Sequence, residues 1–333
     1  MQLLVLSAAD VHDLLGYAEC AQAMRDVLAA RARGEVFQPL RTILQPPGAA
    51  GLMALMPSYQ SGPAAGYGLK AICITPGNPA IGLDSHQGIV LLSSPQTGEP
   101  LAVLNASAVT EIRTAAVSAV ATSLLARPDA DVLAIIGTGV QATAHLRAIA
   151  ATRPLAEIRV AGRTPAKAAA FAAAETTADG HAAAPVIACD SVRDAVAGAA
   201  IVVTATSSAA PVLRSDWLTP GAHINAVGAC LPHAREIDTQ TMAAAALFAD
   251  SRESVLAESG DYLLAAAEAG LTPAHIRAEI GDLLAGLTPA DGRRTPDEVT
   301  IFESLGLAVE DLAAAAVVYQ AARKHGAGAW LDF

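Results

Sequence analysis

The chain has 333 residues, of which 53% are hydrophobic, which suits a globular protein of about two domains. Its net charge of -11, without a run of Lys or Arg, argues against nucleic acid or anionic membrane as a partner. The N-terminal residues lack the basic flank and long apolar core of a signal peptide, and no uninterrupted apolar run is long enough to span a bilayer. The 4 cysteines show no CxxC spacing, which predicts neither a zinc site nor a disulfide framework, so we expect a cytoplasmic protein.

The first third of the chain predicts a helix followed by short strands. Ser7 can cap a helix that begins at Ala8 and runs towards Arg33. The segment from there to about residue 104 is rich in β-formers and punctuated by Gly and Pro. Strands are predicted at 40–44, 52–57, 67–75, 88–93 and 101–105.

From residue 106 the pattern changes to alternating helices and strands. A helix is predicted over 110–126, followed by a βαβ unit made of DVLAIIG, GVQATAHLRAIAAT and EIRVAGR. The strands of this unit are almost continuously apolar, as in a parallel sheet buried on both faces, and AIVVTAT and AHINAVG complete that sheet.

A final helix, predicted over 309–325, follows the parallel-sheet region and is expected to pack back on the N-terminal half. The sequence therefore predicts an α/β protein with one discontinuous domain, 1–112 and 306–333, and one continuous domain, 113–305.

The segment GTGVQA lies where a phosphate-binding turn is expected, between a buried strand and a helix. Gly137 permits the tight turn, Gly139 removes a Cβ where a pyrophosphate approaches, and Ala142 still allows close packing of the helix. The N-terminus of the helix, at Val140 and Gln141, offers free N–H groups to the phosphates. The motif predicts a dinucleotide cofactor.

The end of the second strand indicates which dinucleotide binds. NAD enzymes usually carry Asp or Glu there, whereas the strand ends here in AGRTPAK. Arg163 and Thr164, together with Lys167, can bind a 2′-phosphate dianion. We therefore expect NADP(H) rather than NAD(H), with NAD(H) as the alternative.

Several polar residues are embedded in apolar segments of the first half. Lys70 lies in the strand YGLKAICIT, where burial would lower its pKa and make it a candidate for proton transfer. Arg41 and Arg113 can clamp a substrate carboxylate with their guanidinium groups, although each also suits a structural ion pair. The chain shows no HExxH metal motif and no GxSxG nucleophile motif.

The order of these motifs resembles the ornithine cyclodeaminase and mu-crystallin family. The resemblance rests on LKAICITPGNP, DSHQGIVLLSSPQTGEPLAVL, EIRTAAVSAVAT, IIGTGVQATAHL, AGRTPAKA, HINAVGA, ESGD and VTIFESLGLAVEDLAAA, which together cover nearly the whole chain. It implies a Rossmann-type parallel-sheet dinucleotide-binding domain, a discontinuous α/β domain for substrate binding and dimerisation, a homodimer, and α-amino acids or their imines as substrates.

The resemblance also implies roles for individual residues. Arg41, Lys70, Arg113 and Glu258 would face the substrate, with Lys70 as the catalytic residue. Arg113 would contact the cofactor as well as the substrate, and Ser304 would touch the cofactor or the substrate. The residues that would contact the cofactor are Ser85, His86, Gln87, Arg113, Gly137, Gly139, Val140, Gln141, Arg163, Thr164, Thr204, Thr206, Val227, Gly228 and Ser304.

The family contains several reactions, and one position bears on the choice between them. Cyclodeaminases carry an acid/base aspartate two residues after the glycine that matches Gly228, whereas this sequence has Cys230. A thiol hydrogen-bonds weakly and has a pKa near 8.5, so it replaces a carboxylate poorly. Cys230 itself is interpreted as a small filler of the loop or as a reactive thiol.

The sequence therefore favours an NADPH-dependent reductase of cyclic imino acids such as pyrroline-2-carboxylate or piperideine-2-carboxylate. Three alternatives remain open: ornithine cyclodeamination to proline and ammonia, reductive amination of a 2-oxo acid as in alanine dehydrogenase, and a non-catalytic small-molecule-binding protein. No metal ion is predicted.

Overall fold

The computed structural model describes residues 2–177, 184–288 and 292–333. The chain divides into two compact units. Unit 1 comprises Met1–Arg113 and Gly306–Phe333, and unit 2 comprises Thr114–Leu305. Arg113, which the sequence assigned to the continuous domain, lies in unit 1.

The strands and helices alternate along the chain. The strands are β1 Gln2–Leu6, β2 Val36–Phe37, β3 Thr42–Leu44, β4 Leu52–Gln60, β5 Gly66–Ile74, β6 His86–Ser93, β7 Pro100–Asn105, β8 Val132–Ile136, β9 Glu157–Ala161, β10 Val186–Ala188, β11 Ile201–Thr204, β12 His223–Ala226, β13 Ala246–Ala249, β14 Ile276–Glu279, β15 Thr300–Glu303 and β16 Ala329–Asp332. The helices are α1 Ala8–Leu14, α2 Tyr17–Ala32, α3 Ala106–Leu125, α4 Val140–Thr152, α5 Pro165–Thr177, α6 Val192–Val196, α7 Thr239–Ala244, α8 Arg252–Glu258, α9 Gly260–Ala269, α10 Ile280–Leu284 and α11 Ala308–His325.

Unit 1 is built on a mixed sheet in the order β16-β1-β7-β6-β5-β4-β2, with β3 paired to β4. The pair β1 and β7 is parallel and the other neighbours are antiparallel. Side chains alternate between buried and accessible positions along β4 and β5, and α11 packs on these strands. This packing places the face of β5 that carries Lys70 against the first turns of α11.

Unit 2 is built on a parallel sheet in the order β10-β9-β8-β11-β12-β15-β13-β14. All residues of β11, β12, β13 and β15 are buried, as expected for strands covered on both faces. Loops that follow the carboxyl ends of parallel strands line one edge of such a sheet, where open α/β folds bind ligands.

The structure confirms the α/β class and the parallel sheet, and it changes several predicted elements. The single helix predicted from Ala8 is two helices, because the chain turns at Leu15 and Gly16 between α1 and α2. Ser7 does cap α1, accepting a hydrogen bond from the Asp10 N–H at 3.2 Å. The strands β1, β2, β10 and β16 were not predicted, and the parallel sheet continues through β13, β14 and β15 beyond the predicted strands.

The helix α3 is long and apolar enough to cross a membrane by length and composition alone. Its 20 residues contain a window of mean hydropathy 1.2, but 78% of that window is buried within the protein. Burial of this extent is what the core helix of a globular fold shows.

Candidate active site

Lys70 is the centre of a buried group of charges in unit 1. It lies on β5 with 4% of its surface exposed, between Met56 of β4 and Val90 of β6. Its Nζ is 2.8 Å from Oδ2 of Asp311, which lies in the first turn of α11. A lysine in an apolar strand requires such a partner, because an isolated buried ammonium is costly.

Arg113 completes this group. Its Nε donates to Oδ1 of Asp311 at 2.9 Å and its Nη1 donates to Oε2 of Glu310 at 2.8 Å. Both acidic side chains are almost completely buried. The sequence predicted that Arg113 clamps a substrate carboxylate, whereas the structure shows these two nitrogens bound to carboxylates of the protein itself.

Arg41 lies at the accessible side of the same group. It is half-buried, and its Nη2 donates to the carbonyl oxygen of Gly306 at 3.0 Å. Gly306 adopts a φ of +80°, and a Cβ at this position would lie 2.6 Å from Nη1 of Arg113. A glycine is therefore required here, because the backbone and Arg113 leave no room for a side chain.

Burial lowers the pKa of Lys70 to about 8. The negative charge of Asp311 raises this pKa and partly offsets burial, whereas the positive charge of Arg113 lowers it further. Burial alone would raise the pKa of Asp311, but the Arg113 and Lys70 cations outweigh that effect and lower it. For Glu310, burial dominates and raises the pKa. Lys70 can thus both hold and release a proton near neutral pH.

Ser85, His86 and Gln87 lie at the start of β6 in unit 1. Ser85 Oγ is 2.9 Å from Nδ1 of His86, and the Ser107 hydroxyl donates to the His86 carbonyl oxygen. The pKa of His86 lies below its ordinary value because the protein partly desolvates the ring and because the Lys70 cation opposes a further positive charge. His86 therefore belongs to the electrostatic surroundings of Lys70.

The predicted phosphate turn of unit 2 has the backbone that a dinucleotide requires. Gly137 has a φ of +131°, and a Cβ there would lie 2.4 Å from the carbonyl oxygen of Ala205. Gly139 is the N-cap residue of α4, and no side chain caps the first N–H groups of this helix. The space where a Cβ of residue 139 would lie is empty of protein atoms. The first N–H groups of α4, at Val140 and Gln141, are thus available to an anion.

Arg163 and Thr164 are exposed between β9 and α5. A Cβ on Gly162 would lie 2.8 Å from the Thr138 side chain, so this segment lies directly against the phosphate turn. No ion pair to Arg163 occurs within the described residues. These residues fit the adenosine half of a dinucleotide, because a cation and an N-terminal helix turn stand beside the phosphate turn.

The other predicted residues of unit 2 lie near the ends of its central strands. Thr204 ends β11 with Thr206 in the following loop, Val227 and Gly228 follow β12, and Ser304 follows β15. The Ser304 hydroxyl is buried and, among the described residues, has no hydrogen-bond partner. Glu258 ends α8, and its predicted contact with the substrate stays a prediction.

Sequence reasoning missed the buried acids that support both groups of residues. In unit 1 these are Glu310 and Asp311, which occur in the segment VEDLAAA as a pair of acids opening an apolar helix. In unit 2 they are Glu236, Asp261 and Glu303, each at most 2% exposed. Glu310, Asp311 and Asp261 lie in the first turn of a helix, where acids are common because of the helix dipole alone, so their positions carried no specific signal.

Cys230 is half-buried and packs against the hydrophobic core of unit 2. This placement agrees with its interpretation as a filler of the loop. Among the described residues no group of three or more His, Cys, Asp or Glu side chains is arranged to hold a metal ion.

The fold and these residues define a dinucleotide-binding protein of the Rossmann type with a second, discontinuous unit that carries a buried lysine. The chain matches the family model described as ornithine cyclodeaminase/mu-crystallin family over residues 1–326. The chain belongs to this family.

Three relatives show how close the similarity is. The chain is 42% identical over 286 residues to the ketimine reductase mu-crystallin of Mus musculus, covering 86% of this chain and 85% of the relative. It superimposes on Thermococcus litoralis Δ1-pyrroline-2-carboxylate reductase in complex with NADH and L-proline with a TM-score of 0.93 and 34% identity, covering 98% and 99% of the two chains. An archaeal alanine dehydrogenase dimer with bound NAD gives a TM-score of 0.91 and 32% identity, covering 100% of both chains.

Proposed function

We propose that this protein is an oxidoreductase that reduces cyclic imino acids, such as pyrroline-2-carboxylate or piperideine-2-carboxylate, to L-amino acids with NADPH. The observation that carries the proposal is the ion pair between Lys70 and Asp311, because it holds a proton donor with a pKa of about 8 in a buried, apolar strand. The similarity to a ketimine reductase and to a pyrroline-2-carboxylate reductase supports the same reaction.

The charges of unit 1 suit a substrate that carries a carboxylate. Three cations, Arg41, Lys70 and Arg113, lie together with two acids, Glu310 and Asp311, and guanidinium and ammonium groups are the usual partners of a carboxylate. We propose that Arg41 and Lys70 bind the substrate carboxylate and the imine nitrogen. Arg113 holds the two acids in place and adds to the positive potential.

In this reaction the ammonium of Lys70 donates a proton to the substrate nitrogen and becomes a neutral amine. A reduced nicotinamide, when bound, would supply the hydride that the α-carbon of the C=N bond requires. Asp311 stabilises the protonated form of Lys70 before the transfer, since it raises the pKa against the effect of burial. A proton from solvent then restores the ammonium.

We propose NADP(H) rather than NAD(H) as the cofactor. Arg163 and Thr164 supply a positive charge and a hydroxyl group where NAD enzymes carry an acid, and α5 directs its N-terminus to the same segment. The two solved structures named above hold NADH and NAD, so the similarity by itself does not favour the phosphorylated form.

The test is a panel of substrates assayed with NADPH and NADH side by side. We expect NADPH oxidation with pyrroline-2-carboxylate, with piperideine-2-carboxylate, or with both, and a lower kcat/KM with NADH. Pyruvate with ammonia, and ornithine without added reductant, are the matched alternatives. Proline and ammonia released from ornithine would show a cyclodeaminase instead, and tight NADPH binding without turnover of any substrate would show a binding protein.

We also propose that the protein forms a homodimer through the sheet of unit 1. Large apolar side chains are exposed on the face of this sheet opposite Lys70, namely Leu44 of β3, Met53 of β4, Tyr67 of β5 and Ile89 of β6. An exposed apolar patch of this kind is typical of an interface. We expect light scattering to give about twice the chain mass of 33.7 kDa, and charged substitutions at Leu44 and Met53 to yield monomers. A monomeric wild-type protein would contradict this proposal.

The cytoplasmic location stays a prediction from the sequence.

A further inference from the structure

Glu236 joins the loops that follow two central strands of unit 2. It lies in the segment between β12 and α7 and is 0% exposed. Its Oε1 accepts a hydrogen bond from the Thr206 N–H at 2.5 Å, and its Oε2 accepts one from the Gly228 N–H at 2.7 Å. Because Thr206 follows β11 and Gly228 follows β12, one carboxylate holds both loops at a fixed separation.

The absence of a side chain at position 228 is part of the same arrangement. A Cβ on Gly228 would lie 2.6 Å from the Glu236 carboxylate and 2.2 Å from the carbonyl oxygen of Thr206. The glycine therefore permits the backbone of this loop to approach both the carboxylate and the neighbouring loop.

The backbone that carries Glu236 is itself held on both sides. The N–H groups of Glu236 and Ile237 donate to Oδ1 of Asp261 at 2.7 and 2.8 Å. The Glu236 carbonyl oxygen accepts from the N–H groups of Val212 and Leu213 at 2.7 and 2.9 Å. A side chain on such a fixed backbone has little freedom, so the two bonds of its carboxylate impose a geometry on the loops instead of following them.

Glu236 lies among other buried acids, and burial raises its own pKa, while the hydrogen bonds from Thr206 and Gly228 oppose that rise. Oδ2 of Asp261 and Oε1 of Glu303 are buried without a hydrogen-bond partner among the described residues, and burial raises the pKa of Asp261 to about 7 and that of Glu303 well above its ordinary value. Protonation of these acids relieves their repulsion of Glu236. The carboxylate of Glu236 then accepts two charge-assisted hydrogen bonds, which are stronger than neutral ones.

We propose that Glu236 is a positioning residue for the nicotinamide half of the cofactor, acting through the two loops that hold Thr206 and Gly228. That these loops contact the nicotinamide is part of the proposed function, and the role of Glu236 rests on it. It predicts that Glu236 affects the binding of an intact dinucleotide and leaves the binding of its adenosine half unchanged.

The test compares the affinities of NADPH and of 2′,5′-ADP for wild type and Glu236→Gln. Glutamine retains one acceptor but presents an NH2 group to the second N–H, so one loop loses its bond. We expect NADPH to bind about 10- to 100-fold more weakly, since a hydrogen bond to a charged group is lost, whereas the affinity for 2′,5′-ADP stays within about twofold. If wild type prefers NADH, NADH and ADP replace the two ligands.

Glu175→Gln is the matched control, because Glu175 is also buried in unit 2 but pairs with Arg147 at 3.2 Å. It should leave both affinities unchanged. Hydrogen exchange of the Thr206 and Gly228 amides gives a second readout: exchange at one or both should accelerate in Glu236→Gln, while the Val203 amide in β11 stays protected. Should Glu236→Gln not fold, Glu236→Asp is expected to give the same split, since the shorter side chain cannot reach both loops.

An unchanged NADPH affinity in Glu236→Gln, or an equal loss of NADPH and 2′,5′-ADP binding, would overturn the positioning role. These results are separable from a failure of the proposed reaction. If wild type reduces no imine but Glu236→Gln still shows the split, the reaction is wrong and the positioning role stands.

Discussion

Replacing Lys70 with methionine is expected to lower kcat for imine reduction by about 100- to 10,000-fold, which is the range that a positioned general acid contributes. Methionine fits between Met56 and Val90, both of which are buried apolar neighbours across the sheet. Asp311 keeps its bond to Arg113 at 2.9 Å, so the charge left behind retains a partner. Single-turnover oxidation of NADPH measures the effect on the chemical step.

The affinity for NADPH should be unchanged in Lys70→Met, because the phosphate turn and the Arg163 and Thr164 segment belong to unit 2. Lys324→Met is the control, since Lys324 is an exposed lysine of α11 in the same unit. A Lys70→Met protein that retains more than about a fifth of the wild-type kcat would show that Lys70 is not the proton donor.

Replacing Asp311 with asparagine is expected to shift the pH dependence of kcat to lower pH and to destabilise the protein. Lys70 must be protonated to act as the acid, so wild-type kcat should fall as the pH rises through about 8. Asp311 raises the pKa of Lys70, so without its charge that pKa drops and the fall begins at a lower pH. Removal of one partner from a buried ion pair typically costs about 3–5 kcal/mol.

The pH profile of kcat and the midpoint of thermal unfolding measure these two effects. Glu35→Gln is the control, because it breaks an exposed ion pair with Arg33 in the same unit. It should change neither the profile nor the midpoint appreciably. A pH profile of Asp311→Asn that coincides with that of wild type would show that Asp311 does not set the proton affinity of Lys70.

The local elements of the fold could be predicted because their signals are local. The buried strand before Gly137 and the helix after Gly139 follow from apolar periodicity and glycine placement within a few residues, and the Ser7 cap follows from one hydroxyl. The strands β1 and β16 could not be predicted in this way. They pair with each other across almost the whole length of the chain, so that neither segment by itself carries the signal of its partner.

The same distinction applies to the candidate site. Lys70 and Arg113 stand out because a charge in an apolar segment demands an explanation. Asp311 does not, since an acid in the first turn of a helix is ordinary there. Its partners lie 241 and 198 positions away in the sequence, and only the fold brings the three side chains together. Glu236 could not be predicted either, because it binds backbone N–H groups, which every residue except proline has, so the sequence does not distinguish its partners.

The interrupted course of unit 1 along the chain determines the order in which a ribosome can complete the two units. Lys70 and Arg113 are synthesised long before Glu310 and Asp311, so the nascent chain carries two cations without the acids that neutralise them until α11 emerges. Unit 2 is continuous and contains all the strands of its own sheet. Because domains generally fold as units during synthesis, unit 2 can fold before unit 1 is complete. The buried group of charges around Lys70 is therefore completed only after translation has passed residue 311.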